Sequence, residues 1–299
     1  MTTANAADLP RDVTCRKAHA FSEGTRLTLT VFAPTAMKVG AKLPTIVMAH
    51  GWGGVQAQLR RDAGAFAQDG YLVVTFDYRG WGESDSRIIL TKPAPDPMLV
   101  TFTAEVRAIR EVVDPIDMGT DWLNVLHWVH GEPQCDTDRI GVWGSSMGGG
   151  YAIYAAAHDP RVKAVHSQVT GTLYGRETGH SAEARAGATS RARGEAGYPT
   201  PAENFRGLRG APIGSRFADY VPIEDIRARP DVALQVVLSE EEEYLDNEQH
   251  GIRACRQHKG PKNLVVIPGI SHYDVYGKAW QQVHDLARSW FDRHLKRTA

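Results

Sequence analysis

The segment Ile140-Gly141-Val142-Trp143-Gly144-Ser145-Ser146-Met147-Gly148-Gly149-Gly150 contains the spacing G-x-S-x-G, with a strand-like run before it and a helix-forming run behind it. A strand that turns sharply into a helix leaves a serine hydroxyl exposed at its tip, provided the residues two before and two after are tiny. Gly144 and Gly148 stand at those positions around Ser146, whereas Ser145 has Trp143 and Met147 there. Ser146 is therefore the candidate nucleophile and Ser145 its neighbour. The chemistry such a residue suits is attack on a carbonyl carbon.

Acyl transfer also needs donors aimed at the developing oxyanion. These are usually the amide after the nucleophile and a second amide from a loop that follows an earlier strand. Met147 supplies the first. The loop His50-Gly51-Trp52-Gly53-Gly54 follows an apolar run ending at Ala49, and its glycines let backbone N–H groups face a cavity. Trp52 N–H is assigned as the second donor. A serine hydroxyl is a poor nucleophile at neutral pH and requires a hydrogen-bonded base, ordinarily a histidine. No H-E-x-x-H, paired C-x-x-C or G-x-x-x-x-G-K pattern competes, so neither metal nor cofactor is expected.

These residues need a scaffold, and the chain alternates short apolar runs with longer helical patterns, the mark of an α/β sheet. Thr45 to Ala49, Tyr71 to Phe76 and Val162 to Val165 read as largely apolar runs, as central parallel strands do. Arg26 to Ala33 alternates like a half-buried edge strand. Arg139 to Trp143, Val232 to Leu238 and Asn263 to Ile267 complete the set. Helices are expected over Gln56 to Gln68, Ile116 to Val129, Met147 to His158, Asn247 to Gln257 and Tyr276 to His294. The last carries a core-facing stripe of Ala279, Val283, Leu286, Trp290 and Phe291. Residues 171–230, rich in Gly, Ala, Arg and Pro, interrupt this rhythm and are read as an inserted lid or cap within a single domain spanning residues 1–299. A helix-like piece runs from Ser181 to Arg193.

At 299 residues and 32.8 kDa the chain buries a sizeable core. A net charge of −1 creates no field that would draw it to nucleic acid or an anionic membrane, so a small-molecule substrate is the expected partner. Self-association into a homo-oligomer stays open. Met1 to Pro10 lacks a basic start followed by an apolar core, and no apolar run is long enough to span a bilayer; a cytoplasmic protein is expected. Cys15, Cys135 and Cys255 lie far apart, which fits buried, unreactive thiols.

The order H-G-W-G-G, then Phe76-Asp77-Tyr78-Arg79-Gly80-Trp81-Gly82-Glu83-Ser84, then G-S-S-M-G resembles the α/β-hydrolase superfamily over nearly the whole chain. Within it, the segments are most similar to the group spanning dienelactone-hydrolase-like enzymes and the prolyl and X-prolyl peptidases. The resemblance implies an α/β-hydrolase fold, a mostly parallel central sheet with helices on both faces, and the chain order nucleophile, acid, histidine. By that order the base is His272, in Pro268-Gly269-Ile270-Ser271-His272-Tyr273. His250, His258 and His294 fall on expected helices and read as surface residues, while His50 orders the oxyanion loop.

The acid should follow Val232 to Leu238, where Ser239 precedes four adjacent carboxylates, Glu240 to Glu243. By resemblance to the G-x-x-D turn of relatives, Ser239 takes the glycine position and Glu242 the acid's, with a glutamate in place of the usual aspartate. Glu240, Glu241, Glu243 and Asp246 stay open as rivals. The Asp77 to Ser84 segment is expected to shape the neighbouring loop through Asp77 or Arg79. What the resemblance implies is a serine hydrolase acting on a small carboxylic ester or lactone through an acyl-enzyme. Cleavage of carbon–carbon or amide bonds by the same triad, and a receptor that only binds, remain alternatives.

Overall fold

The computed structural model describes residues 9–38, 40–172, 176–200, 204–205 and 207–296. Eight strands form the central sheet: β1 (Val13–Ser22), β2 (Thr25–Pro34), β3 (Leu43–Ala49), β4 (Leu72–Phe76), β5 (Cys135–Ser145), β6 (Val162–Gln168), β7 (Ala233–Glu241) and β8 (Lys262–Ser271). Their spatial order is β1-β2-β4-β3-β5-β6-β7-β8. β1–β2 and β2–β4 pair antiparallel, and every pairing from β4 across to β8 is parallel. Parallel pairing places the C-terminal ends of β3, β5, β6, β7 and β8 along one edge, where loops carry function in open α/β sheets.

Both faces of the sheet are covered, because alternate side chains of each strand point to opposite sides. Val47, Ala49, Val74 and Val142 pack beneath α2 (Pro115–His130) and α3 (Met147–His158). Ile46, Met48, Val73 and Trp143 meet α1 (Arg60–Gln68) and the C-terminal helix Trp280–Leu295 on the other face. α2 starts where the sequence supplies its cap: the Asp114 carboxylate accepts from Ile116 N and Asp117 N, and Pro115 takes the first helical position.

Several expected elements differ. Arg26 to Ala33 is an inner strand, buried through most of its length, because β1 covers it. β1 was not anticipated: its exposed stretch Thr14–Lys17 hides the apolar signal of an outer strand. The C-terminal helix begins at Trp280; residues His272–Tyr276 form a separate tight helical turn. Asn247 to Gln257 divides into a wide turn closed by Ile252 N to Asn247 O at 2.9 Å and a short helix, Arg253–Gln257.

The region 171–230, expected to be an insertion, also divides. Its helix α4 (Ala182–Ala192) is capped by Ser181 Oγ and buries little beyond Ala184. Further on, Phe217, Tyr220 and Ile226 belong to the main core, with the Tyr220 ring 4.9 Å from Tyr151. A further excursion, unmarked by any core pattern in the sequence, leaves the sheet after β4 as an antiparallel hairpin of Arg87–Leu90 with Val106–Ile109. The two excursions meet where Val112–Val113 pairs in parallel with Ala211–Pro212, and where Arg216 Nε lies 3.0 Å from both carboxylate oxygens of Asp114.

Candidate active site

Ser146 directly follows β5 with φ 56° and ψ −128°, a left-handed conformation that non-glycine residues rarely hold. The surroundings fix it. Ser146 N donates to Gln168 O at 2.9 Å, and Ser146 O accepts from Gly149 N and Gly171 N, both at 2.9 Å. The flanking glycines are required by contact: a Cβ on Gly144 would sit 2.0 Å from Gly148 O, and one on Gly148 would sit 2.7 Å from Ala49 O. Ser146 is partly exposed between buried neighbours on both sides.

His272 opens the turn after β8 and is 4% exposed. Its Nδ1 lies 2.8 Å from Glu242 Oε2 and 2.9 Å from Oε1, so Nδ1–H donates to the carboxylate and Nε2 is left to other partners. Glu242 follows β7. It also accepts from Ser239 Oγ at 3.0 Å, Tyr244 N at 3.0 Å and Leu245 N at 3.3 Å. Burial pushes this carboxyl up, but the hydrogen bonds from His272, Tyr244 N and Ser239 outweigh it and hold it below its ordinary value.

The rival glutamates have other partners. Glu240 Oε2 accepts from Gly269 N at 2.9 Å, Glu243 Oε2 accepts from His272 N at 2.9 Å, and Glu241 pairs with Ser271 in the strand ladder. Glu242 is the member that meets the imidazole, while its neighbours brace the backbone that carries His272. Asp246 Oδ1 caps the following turn by accepting from Glu248 N at 2.9 Å. The rings of Tyr244 and Tyr273 each have their centroid 5.2 Å from that of the imidazole and pack edge to face against one another at 5.5 Å. The turn that carries His272 reaches the end of β5, for Tyr276 Oη stands 2.6 Å from Ser145 Oγ.

The His50–Gly54 loop abuts the elbow: a Cβ on Gly51 would fall 3.1 Å from Ser146 Cβ and 3.7 Å from Met147 N. Met147 N is the first amide of α3, ahead of the Gly149 N that donates to Ser146 O, at the helix end that favours an anion. His50 Nδ1 lies 2.9 Å from Gly51 O, and burial pushes this imidazole's pKa down. Beneath the loop Asp77 accepts from Gln56 N at 2.7 Å, Gln56 Nε2 at 3.0 Å and Glu83 N at 3.1 Å, tying the element after the loop to the Asp77–Ser84 segment. A Cβ on Gly82 would collide with the Asp77 carboxyl at 2.3 Å. Arg79 pairs with buried Asp121 at 2.6 Å and donates to Ser22 Oγ at 2.8 Å, so this arginine holds the segment down.

Some expected surroundings change. His250 and His258 are buried, with Thr172 Oγ1 3.1 Å from Nδ1 of the first and Val232 O 2.8 Å from Nε2 of the second. Cys15 is exposed on outer strand β1, unlike Cys135 and Cys255. Tyr276 belongs to no motif in the sequence, where its place four residues beyond His272 is its one signal. Among the described residues, no group of three or more His, Cys, Asp or Glu could hold a metal ion, and no helix is long and apolar enough to cross a membrane.

A family model described as X-Pro dipeptidyl-peptidase (S15 family) matches residues 23–190, a span that takes in the His50–Gly54 loop and the Ser146 elbow and ends before Glu242 and His272. The chain is 27% identical over 308 aligned residues to an uncharacterized 31.7 kDa protein in the traX-finO intergenic region of Escherichia coli, covering 93% of this chain and 98% of that one. It is 32% identical over 126 residues to the quorum-quenching protein AidA of Acinetobacter baumannii, a match covering 42% of this chain and 34% of AidA. Among solved structures, the α/β hydrolase GrgF from Penicillium sp. sh18 superimposes with a TM-score of 0.71 at 18% identity, covering 97% of this chain and all of that one. At that identity the likeness is one of fold, and the fold is that of the α/β-hydrolases.

Proposed function

The chain belongs to the X-Pro dipeptidyl-peptidase (S15) family, and on that premise we propose that it is a serine hydrolase cleaving a small carboxylic ester or lactone through an acyl-enzyme. The observation that carries this reading is the buried His272 Nδ1–Glu242 pair at 2.8 Å, on loops at the sheet edge where Ser146 is held in a left-handed turn. A carboxylate that fixes the imidazole tautomer turns Nε2 into a base, which is what a serine hydroxyl requires.

In the proposed cycle His272 Nε2 removes the proton of Ser146 Oγ as the oxygen attacks the substrate carbonyl. The oxyanion is received by the amides of Met147 and Trp52. His272 then gives the proton to the leaving group. Water, deprotonated by the same imidazole, hydrolyses the acyl-enzyme and frees Ser146. Each step moves one proton along one path, so the side chains present suffice without a cofactor.

The family match supports a second reading, hydrolysis of a prolyl amide by the same groups. A panel of short-chain aryl esters, lactones, vinylogous diketones and prolyl amides separates the two. Ester or lactone turnover that vanishes in Ser146→Ala supports the first reading. Turnover of prolyl amides alone supports the second, and full ester turnover by Ser146→Ala contradicts both.

A further inference from the structure

Ser145 and Tyr276 stand outside the groups assigned to bond making and breaking, yet they join the elements that carry those groups. β5, which ends at Ser145, and β8, which leads into His272, are separated in the sheet by β6 and β7. Three inter-strand spacings put their ends about 14 Å apart. The histidine must therefore lean back across two strands to serve Ser146. Its bond to Glu242, which follows β7, fixes the ring's rotation and tautomer but leaves the reach toward β5 unset.

The turn His272–Tyr276 spans that gap. At its start Ser271 N and Ser271 Oγ donate to Asp274 Oδ2 at 2.8 and 3.0 Å, and at its end Tyr276 O accepts from Arg61 Nη2 at 2.8 Å. The Tyr276 hydroxyl lies 2.6 Å from Ser145 Oγ, on the residue adjoining the nucleophile, and Ser145 itself is 2% exposed. One hydrogen bond thus couples the position adjacent to Ser146 with the turn that begins at His272.

Resting on the serine-hydrolase reading above, we propose that Tyr276 is a positioning residue whose hydroxyl, bonded to Ser145, sets the distance at which His272 meets Ser146. Misplacing a base by a fraction of its hydrogen-bond reach slows proton transfer without weakening substrate binding.

The test measures turnover of a short-chain aryl ester by wild type, Tyr276→Phe, Ser145→Ala and the double variant, with melting temperature for each. Phe keeps the ring and removes the bond; Ala removes the same bond from the other side. The expected result is a fall in kcat of about tenfold in each single variant at unchanged KM, with no further loss in the double variant because one interaction is removed once. Wild-type kcat in Tyr276→Phe, losses that multiply in the double variant, or a rise in KM alone would overturn the inference while leaving the hydrolase reading intact. A wild-type chain that neither turns over the panel nor reacts with a fluorophosphonate would overturn both.

Discussion

Glu242 Oε2 lies 2.8 Å from His272 Nδ1, across the parallel pairing of β7 with β8, and both side chains are almost fully removed from solvent. Strand ends that adjoin in the sheet place acid and base together, although 29 residues separate them in the chain. Four neighbouring carboxylates compete for this role in sequence. The geometry divides the work among three of them, since Glu240 and Glu243 hold the amides of Gly269 and His272.

That division makes the glutamates separable. Glu242→Gln keeps the shape and loses the charge that orients the imidazole, so kcat for an aryl ester is expected to fall by about 10³ or more. Glu240→Gln retains an oxygen to accept from Gly269 N and should stay within about threefold of wild type. Steady-state kinetics on the two variants checks the assignment; equal losses would refute it.

The proposed oxyanion donors are backbone groups, which side-chain truncation leaves in place. Trp52→Ala keeps the amide, whereas Trp52→Pro deletes it, and loss of one such donor costs about 10²–10³ in kcat. The expected pattern is a large loss for proline and a small one for alanine, measured as kcat on the same ester.

Gly144 is closed to any side chain, because a Cβ there would meet Gly148 O at 2.0 Å and Gly149 N at 2.7 Å. Gly144→Ala must push the elbow apart, at a cost of about 3 kcal/mol. Urea denaturation should report that loss, and turnover should vanish with it.

Burial lowers the pKa of both His166 and His250 to about 4. The unfolded chain regains a pKa of about 6.5. Between these values the unfolded state binds protons that the native state refuses, so the stability these groups contribute is complete above pH 6.5 and is lost as the pH falls toward 4. Each group accounts for a slope of at most about 1.4 kcal/mol per pH unit. Urea midpoints from pH 7 to pH 4 should decline, and His250→Asn should flatten the decline; a pH-independent midpoint would contradict this.

Much of the site was legible because its constraints are local. Ser146 could be told from Ser145 by its glycines alone, and the contacts at Gly144 and Gly148 show why. β3, β4 and β6 announced themselves as apolar runs because both of their faces are covered. What stayed hidden depends on partners distant in sequence. β1 reads as polar because Cys15, Arg16 and Lys17 face solvent at the sheet's margin. The Arg87–Ile109 hairpin shows no core pattern, since Ile88, Leu90 and Val106 are exposed. His250 and His258 looked like surface residues because their partners, Thr172 and Val232, come from other elements. The contact between Tyr276 and Ser145 joins residues 131 positions apart.

The role proposed for Ser146 is that of a nucleophile activated by His272. Its most direct test is intact-mass and peptide-mapping mass spectrometry after incubation with a fluorophosphonate. A single adduct is expected on the peptide carrying Ser146, absent in Ser146→Ala and formed far more slowly in His272→Ala. An adduct on another residue, or labelling that proceeds at the wild-type rate without His272, would contradict it.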